Sequence, residues 1–580
     1  MPPIEVAVTP RWQRYVSVVA IAAVYLITCR VMLAPICNFA RLGTASYEGD
    51  ARAFIWVLAW DNHAFLDRVS SLFEANKLYP LPNALAYGEH LYGISLFTLP
   101  LYALTRNPVL AYNVVWLLSY LLAAAAAHLL AWRYTRDHLA AMVAGMAFAF
   151  CFFRMHHGHG HLNLIWSFWI PLSFVVIERW VARPTWTRLT GFVAVLVLQA
   201  LASWYQAVMI SVADAVFLIW LIAVERPTIR HPRVWRDPAT RAWFSRLAIQ
   251  AVVGALVALA LVWPFARHYF ILHSESPAGA AAAAADLAGW LVPPENTLIG
   301  QWLIAHNIKG PRWIWGELTV YLGWITMGLA LIGAIVSVRS RDPLVRRSRF
   351  FIVLGIVAAV LALGPSSREV VSGQWGWSPF GALAHVPGLN LFRIPARYSQ
   401  ILSLALALLA AIACAASHRR FGHRGRVATG VAMLFLLTEF YVVNFPGGPP
   451  QPYPVPAVYK QIATLPPGPV LSLPIYANTP LWFREANYQY FSTAHWHPIV
   501  NGDSREWPPQ FRDLVERFKL FPDAAAASTL RDVGVAYVVL HANQRGADDV
   551  LAPARASPDF RLLAQFEHDY LFEVVPASRR

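Results

Sequence analysis

Carboxylates, an arginine and a histidine cluster in one stretch near the start of the chain, at residues 47–65. The stretch reads YEGDARAFIWVLAWDNHAF and follows the first long apolar segment. It is too polar to span a bilayer and too apolar to be an ordinary loop, so we expect it at the membrane–water boundary. An acid there can act as a general base toward a hydroxyl group. Asp50 is the first candidate for that role, and an N-cap for a helix beginning at Ala51 is the competing interpretation.

Two further acids lie in the same part of the chain. Asp61 stands eleven positions after Asp50, which is near three helical turns and places both carboxylates close to one helix face. Glu89 and His90 precede a second short apolar run, and Glu89 is a candidate for binding a metal or a substrate. The alternatives are a solvated interfacial acid at Asp61 and a favourable charge at a helix start for Glu89.

Two cationic segments could recognise a phosphate. Residues 154–161 read RMHHGHGH, with Arg154 as a fixed cation and His157 and His161 among the histidine donors. A structural metal site and an exposed polar turn are the alternatives, and no nearby Cys completes a zinc set. Arg393 and Arg397 precede a late apolar segment, where an Arg opposes the helix dipole and a bound anion would relieve it; snorkelling is the alternative.

Composition favours a polytopic membrane protein. Of the 580 residues, 57% are hydrophobic and only 14% are charged, against about 25% charged in soluble domains. The net charge of +15 comes largely from Arg in short connections between apolar runs. That distribution reports membrane topology, not a nucleic-acid partner. The four cysteines show no CxxC spacing and are interpreted as small buried hydrophobes.

The apolar runs predict about eleven transmembrane helices. We expect them near 15–35, 109–132, 139–155, 162–181, 189–206, 207–224, 247–266, 318–338, 350–364, 397–416 and 427–444. Alternate connections are rich in Arg, which puts the N-terminus in the cytoplasm. This orientation requires that the run His90–Thr105, which contains Pro100, does not cross the membrane. Residues 36–108 then form a first outer loop that holds both Asp50 and Glu89.

The last part of the chain differs in composition from the rest. A Pro- and Gly-rich linker at 446–452 divides residues 1–444 from residues 445–580. Strand-like runs at Val470–Leu473, Val535–Leu540 and Tyr570–Val575, with an amphipathic stretch near Phe511–Lys519, predict a small α/β domain on the outer side. The fold class is therefore mainly α, with interfacial helices in the first loop and a C-terminal α/β domain.

The order of these features resembles the GT-C superfamily of membrane glycosyltransferases, and within it the bacterial RgtA/B/C/D-like group. The matching stretches begin with Gly49-Asp50 and the run 56–60, and continue through 83–90, 161–163, 169–172, 316–317, 321–323, 387–397 and 497–502. Each motif is loose, but their order along the chain is fairly specific. In this sequence Gly49 separates Glu48 from Asp50, whereas many relatives have adjacent acids there.

The resemblance implies a polyprenyl-phosphate-linked sugar donor, a glycan or lipid acceptor and catalysis on the periplasmic face of a bacterial inner membrane. It gives Asp50 the part of catalytic base and Glu89 that of a second acid in an inverting transfer. The candidate substrate and phosphate contacts are Arg52, Asp61, His90, Arg154, His157, His161, Arg393 and Arg397. Metal dependence stays open, because some relatives use a divalent metal and others none. We also expect membrane lipids as partners, and no nucleic acid.

Two other functions stay open at this stage. One is a non-catalytic component for lipid or polysaccharide transport or envelope assembly, which would use polar groups at mid-membrane depth such as Asp214 and Gln199. The other is an outer binding module that works through residues 445–580.

Overall fold

The computed structural model describes most of the chain. The described residues are 11–34, 37–38, 43–44, 49–69, 71–224, 237–271, 284–285, 287–308, 320–364, 379–384, 394–443, 454–477, 479–504, 507–544 and 548–576. Five helices are long and apolar enough to cross a membrane: Pro108–Thr135, Leu162–Ala182, Trp204–Ala223, Pro238–Tyr269 and Pro395–Phe421. Together with shorter apolar helices they make the chain a membrane protein that is mainly helical, as predicted.

Most of the described residues before position 441 are helical. They are α1 (Arg11–Met32), α2 (Asp50–Leu66), α3 (Tyr92–Thr105), α4 (Pro108–Thr135), α5 (His138–Ala149), α6 (Phe152–His157), α7 (Leu162–Ile165), α8 (Trp169–Ala182), α9 (Trp186–Ala202), α10 (Trp204–Ala223), α11 (Pro238–Ala266), α12 (Leu287–Leu291), α13 (Leu298–Ala305), α14 (Trp324–Arg339), α15 (Pro343–Arg347), α16 (Arg349–Ala362), α17 (Pro379–Ala384), α18 (Ser399–Phe421) and α19 (His423–Phe440). A short two-stranded pair, β1 (Cys37–Asn38) and β2 (Gly43–Thr44), precedes α2.

A helix lies at each of the predicted spans, but two of them are interrupted. The span expected at 139–155 is divided into α5 and α6 by Phe150 and Cys151, and the span expected at 162–181 is divided into α7 and α8. The close junction between the next two spans is a single residue, Ser203, which follows α9 and caps α10. The run that was expected not to cross is the 14-residue helix α3, which contains Pro100.

Helix α2 is enclosed by protein. It contacts residues 485–491 of the C-terminal part as well as α3 and α4. In its second half, the ring of His63 stacks on Trp496 of the C-terminal part. Trp56 and Trp60 are buried and stack on each other with ring centroids 6.0 Å apart. Their indole N–H groups donate to Asn76 Oδ1 and to the Leu72 carbonyl. The apolar residues that suggested an interfacial helix are therefore covered by other parts of this chain.

The C-terminal part contains a four-stranded mixed sheet. Its strands are β3 (Val470–Leu473), β4 (Tyr537–His541), β5 (Phe560–Phe566) and β6 (Asp569–Val574), in the order β3-β4-β6-β5. The β3–β4 pair is parallel and the other pairs are antiparallel. The helices are α20 (Ala457–Ile462), α21 (Glu485–Phe491), α22 (Pro509–Phe518), α23 (Ala524–Val533) and α24 (Asp548–Ala556). Three of the strands were predicted, and the edge strand β5 was not.

Backbone hydrogen bonds join this sheet to the first loop. Ile499 bridges to Val470 of β3, and its N–H donates to the Asn76 carbonyl at 2.7 Å. The Tyr79 N–H donates in return to the Ile499 carbonyl at 2.9 Å. Lys77, in the same loop, is buried and donates to the Asp503 carbonyl. The first loop and the C-terminal sheet are thus directly connected through backbone and side-chain contacts.

Candidate functional site

Asp50 is the first residue of α2, and it does not cap the helix. The N-cap is Gly49, with φ of 110°, and it makes no side-chain capping bond. The expectation that Asp50 is the N-cap is therefore wrong. A glycine takes that position because few L residues tolerate so positive a φ, and a Cβ at Gly49 would lie 3.2 Å from the Cβ of Phe483. The carboxylate of Asp50 is left to face another element.

That element is the His-rich segment, residues 154–161. His161 Nε2 lies 2.8 Å from Asp50 Oδ2, and the two side chains are 26% and 38% exposed. His157, at the end of α6, places its Nδ1 3.3 Å from His161 Nδ1. Three predicted site residues are therefore brought together. A partly exposed carboxylate that an imidazole orients is suited to accept a proton from a hydroxyl group.

Glu89 reaches the same short segment from the other side. Its Oε2 accepts a hydrogen bond of 2.8 Å from Nδ2 of Asn163, two residues after His161. We use the term α7 segment for residues 161–165. Asp50 and Glu89 of the first loop both contact this segment, Asp50 at its first residue and Glu89 at its third.

The α7 segment also binds the start of two later helices. The Leu164 carbonyl accepts hydrogen bonds from Gln206 Nε2 and Gln400 Nε2, at 2.7 and 3.1 Å. These glutamines lie in the first turns of α10 and α18. Arg397, in the 3₁₀ turn that leads into α18, is buried over the ring of Tyr205, with its guanidinium carbon 4.1 Å from the ring centroid. Arg397 therefore lies over the residue next to Gln206, which binds the α7 segment.

Arg52 points to the C-terminal part instead. Its Nη1 donates to Oδ1 of Asn487 in α21. Phe483, just before α21, lies against Gly49. Contacts on both sides of Asp50 therefore come from residues 483–487, so the C-terminal part fixes the beginning of α2.

Arg154 is not part of this arrangement. It is fully buried, and its guanidinium donates to three carbonyls, those of Ala149, Ile165 and Ser119, and to the Ser167 hydroxyl. Ala149 and Ile165 end α5 and α7, where carbonyls have no partner within their own helix. The expected phosphate-facing role is therefore replaced by a structural one: Arg154 joins the ends of two interrupted helices.

Asp61 and His90 are also buried away from the Asp50–His161 pair. Asp61 is 1% exposed and accepts a 2.6 Å hydrogen bond from Ser95, while burial raises the pKa of its carboxyl to about 7. His90 binds Tyr269, its Nδ1 lying 2.9 Å from the phenol oxygen, and burial lowers the pKa of its imidazole to about 3. Arg393, the last predicted contact, lies outside the described residues.

The fit of a metal can be judged from the donors present. In the part of the chain that the structure describes, no group of three or more His, Cys, Asp or Glu side chains is arranged to hold a metal ion. His159, for example, turns its Nδ1 to the His156 carbonyl. Among the described residues, the geometry therefore assigns no metal ligands.

Residues that the sequence did not single out complete the site. Asn163, Tyr205, Gln206 and Gln400 all take part in the contacts around the α7 segment. The tight junction at 203–206 was the one signal for Tyr205 and Gln206, because a helix break between two apolar runs exposes polar groups to a neighbour. Asn163 was visible only as the end of the His161-Leu162-Asn163 motif.

Known proteins share this architecture. No protein-family model matches the chain, and no curated protein matches it in sequence. Among solved structures, the arabinofuranosyltransferase AftD from Mycobacteria superposes with a TM-score of 0.55 at 14% identity, over 97% of this chain and 40% of AftD. A variant of AftD gives a TM-score of 0.60. The chain has the GT-C fold. It spans about two fifths of the length of AftD, so the likeness concerns fold alone.

Two other solved proteins align less closely with this GT-C fold. The oligosaccharyltransferase of Archaeoglobus fulgidus is 12% identical, with a TM-score of 0.48 over 91% of this chain and 70% of its own. ArnT from Cupriavidus metallidurans is 14% identical, with a TM-score of 0.40 over 97% and 98% of the two chains.

Proposed function

We propose that the protein is a membrane glycosyltransferase that moves a sugar from a polyprenyl-phosphate donor to a glycan or lipid acceptor. The observation that carries the proposal is the convergence of Asp50 and Glu89 on the α7 segment within a GT-C fold. Structures of the archaeal enzyme with a dolichol-phosphate and of ArnT with undecaprenyl phosphate concern the same class of lipid.

In the proposed reaction Asp50 accepts the proton of the acceptor hydroxyl. The acceptor oxygen attacks the anomeric carbon of the sugar from the face opposite to the phosphate. A new C–O bond forms as the bond between that carbon and the phosphate oxygen breaks, so the configuration inverts and polyprenyl phosphate leaves with the electron pair. His161 holds the Asp50 carboxylate in place before the transfer.

The remaining predicted residues take supporting parts. Glu89, oriented by Asn163, binds a hydroxyl of the sugar or acceptor. Arg397 and Arg393 neutralise the phosphate of the leaving lipid. His157 lies beside His161, and Arg52 joins the start of α2 to the C-terminal part. Arg154, Asp61 and His90 are left out of the proposed substrate contacts because each is buried and hydrogen-bonded to another part of the chain.

The proposed topology follows the charge pattern. About eleven helices cross a bacterial inner membrane, with the N-terminus in the cytoplasm and the first loop, residues 36–108, in the periplasm. Residues 445–580 then form a periplasmic domain, and residues 1–444 the catalytic module. The backbone bonds between Ile499 and the loop at 76–79 support this assignment, because they require both parts on one side.

The decisive experiment measures sugar transfer in membranes that contain the full-length protein and a polyprenyl-phosphate-linked sugar. Asp50→Asn removes the base but keeps the side-chain shape, so we expect the initial rate to fall by about a thousandfold. Asp549→Asn, at an exposed acid of the C-terminal part, is the matched control and should retain full activity. Full activity of Asp50→Asn in folded protein would refute the assignment. Incubation with EDTA in the same assay tests for a divalent metal.

A further inference from the structure

A buried acid lies in the middle of the transmembrane helix α10, far along the sequence from the proposed active site. Asp214 stands ten residues into the 20-residue helix α10, about 15 Å from its start at 1.5 Å per residue. Such a helix is as long as the hydrocarbon core is thick, about 30 Å. Asp214 is 5% exposed. The proposed reaction makes no use of it.

Only half of this carboxyl group has a partner. Asp214 Oδ1 accepts a 2.6 Å hydrogen bond from Ser173 of α8. Asp214 Oδ2 is buried and has no hydrogen-bond partner among the described residues. A carboxyl oxygen at this depth is costly to leave unpaired, and acids in transmembrane segments normally pair with another group.

The carboxyl lines a slot between α8, α9 and α10. The slot has a volume of about 140 Å³, and its walls include Trp180, Phe192, Leu196 and Leu218. Cavities of about this size accept one compact group the size of benzene. Ser211 and Ala215 border the slot on the exposed side of α10, so it opens to the outside of the helix bundle. We call it the Asp214 slot.

Small residues lie on the face of α10 beside the slot, in the two turns before the exposed Ile219. Ala207, Ser211 and Ala215 follow one another at intervals of four, which places them in one row along the helix. Rows of small residues let two transmembrane helices approach closely, and polar groups across such contacts add hydrogen bonds. The row and the half-paired carboxyl are independent observations on the same face.

We propose that the Asp214 slot binds a transmembrane helix of a partner protein, which inserts one lysine or arginine side chain to pair with Asp214. Charge complementarity selects a cation for the carboxylate. The depth of Asp214 in the membrane favours a protein helix over a lipid as the partner. Cationic lipid headgroups lie at the membrane surface, whereas Asp214 lies near the midplane. The aliphatic stem of the inserted side chain fits the apolar walls of the slot.

The test uses full-length protein in vesicles of phosphatidylethanolamine and phosphatidylglycerol. The probes are two labelled synthetic transmembrane peptides of leucine and alanine, one with a central lysine and one with methionine at that position. Association is measured by energy transfer from a label on the protein. We expect the lysine peptide to associate about fivefold more tightly than the methionine peptide. Asp214→Asn should reduce that preference to less than about twofold.

Ala215→Phe is the second variant, because it blocks the row of small residues and leaves Asp214 intact. It should weaken binding of the lysine peptide. The rate of sugar transfer and the helical content should both stay at the wild-type level, which shows that the variant is folded. Equal binding of the two peptides to wild-type protein would overturn the proposal. So would unchanged binding of the lysine peptide to Ala215→Phe, or native mass spectrometry showing a lipid that occupies wild-type protein and is lost from both variants.

Discussion

Helix α2 carries one acid at its beginning and another in its second half, and the two acids have different surroundings. Asp50, at the beginning, is partly exposed and lies 2.8 Å from His161. Asp61, eleven residues later, is almost fully buried and binds the Ser95 hydroxyl of α3. The same residue type on the same helix is thus a candidate base at one end and a packing group at the other.

The difference comes from what covers each end. The beginning of α2 meets the His-rich segment and α21, which supply polar partners and leave an opening to solvent. Further along, α3 closes over the helix, and Asn62 donates to Thr98 beside the Asp61–Ser95 contact. Helical spacing alone therefore does not identify a catalytic acid, since the elements around the helix decide whether the acid is accessible.

The largest difference in the rate of sugar transfer is expected between Asp50→Asn and Asp61→Asn. Loss of a general base at Asp50 should lower the rate of sugar transfer by about a thousandfold. Asp61→Asn keeps a group that can bond Ser95 and touches no substrate, so its rate should stay within about threefold of wild type. Initial rates under identical expression test both. Equal losses would show that the two ends share one role.

The next largest effect is expected at His161, which positions Asp50. His161→Ala should lower kcat by about tenfold with little change in KM, because a hydrogen bond to a charged group is lost while substrate contacts are kept. His161→Gln offers an amide N–H near the former Nε2 and should recover part of kcat. If KM rises while kcat is unchanged, His161 contacts the substrate and does not orient Asp50.

Much of this architecture could be predicted from the sequence, because apolar runs define where helices lie. The positions of the apolar helices, the break near Ser203 and three of the four C-terminal strands follow from local patterns. The resemblance to the GT-C superfamily is confirmed at the level of fold. Strand β5 was missed because it is an edge strand with exposed residues such as Arg561, so its apolar alternation is weak.

The candidate site was harder to predict because its contacts join distant segments. The Arg52–Asn487 bond connects residues 435 positions apart. Arg154 was misinterpreted because its neighbours in sequence are histidines and glycines, whereas its partners are carbonyls at the ends of two helices. Only the interruption of those helices explains why a guanidinium is buried there, and that interruption is a tertiary feature.

The burial of Asp61 should also affect how the stability of the protein depends on pH. Burial raises the pKa of the folded-state carboxyl from 3.8 to about 7. Between these values the folded state binds more protons than the unfolded state, so this group lowers stability as the pH rises from about 4 to about 7. Asp61→Asn removes that contribution. The loss of thermal stability between pH 5 and pH 8 should therefore be smaller in Asp61→Asn than in wild type.

The comparison of variant with wild type is needed because other groups titrate in the same range. The pKa of His90, lowered from 6.5 to about 3, has the opposite effect, since stability then increases with pH between those values. Glu485 has a pKa raised to about 7 and acts in the same direction as Asp61. An identical pH dependence in Asp61→Asn and wild type would mean that Asp61 is solvated in the folded protein.

The last comparison concerns the two glycines that border Asp50, one of which should tolerate an added methyl group with almost no loss of activity. Gly49→Ala forces an L side chain to a φ of 110° and brings its Cβ within 3.2 Å of Phe483, so we expect the α2 start to shift and sugar transfer to fall by about tenfold. Gly160→Ala adds a Cβ only 3.8 Å from the Cβ of Asp50, an ordinary van der Waals contact. Its rate should change by less than about twofold. If instead Gly160→Ala is the more damaging change, the substrate must approach Asp50 across Gly160, because only a bound group would then meet the added methyl.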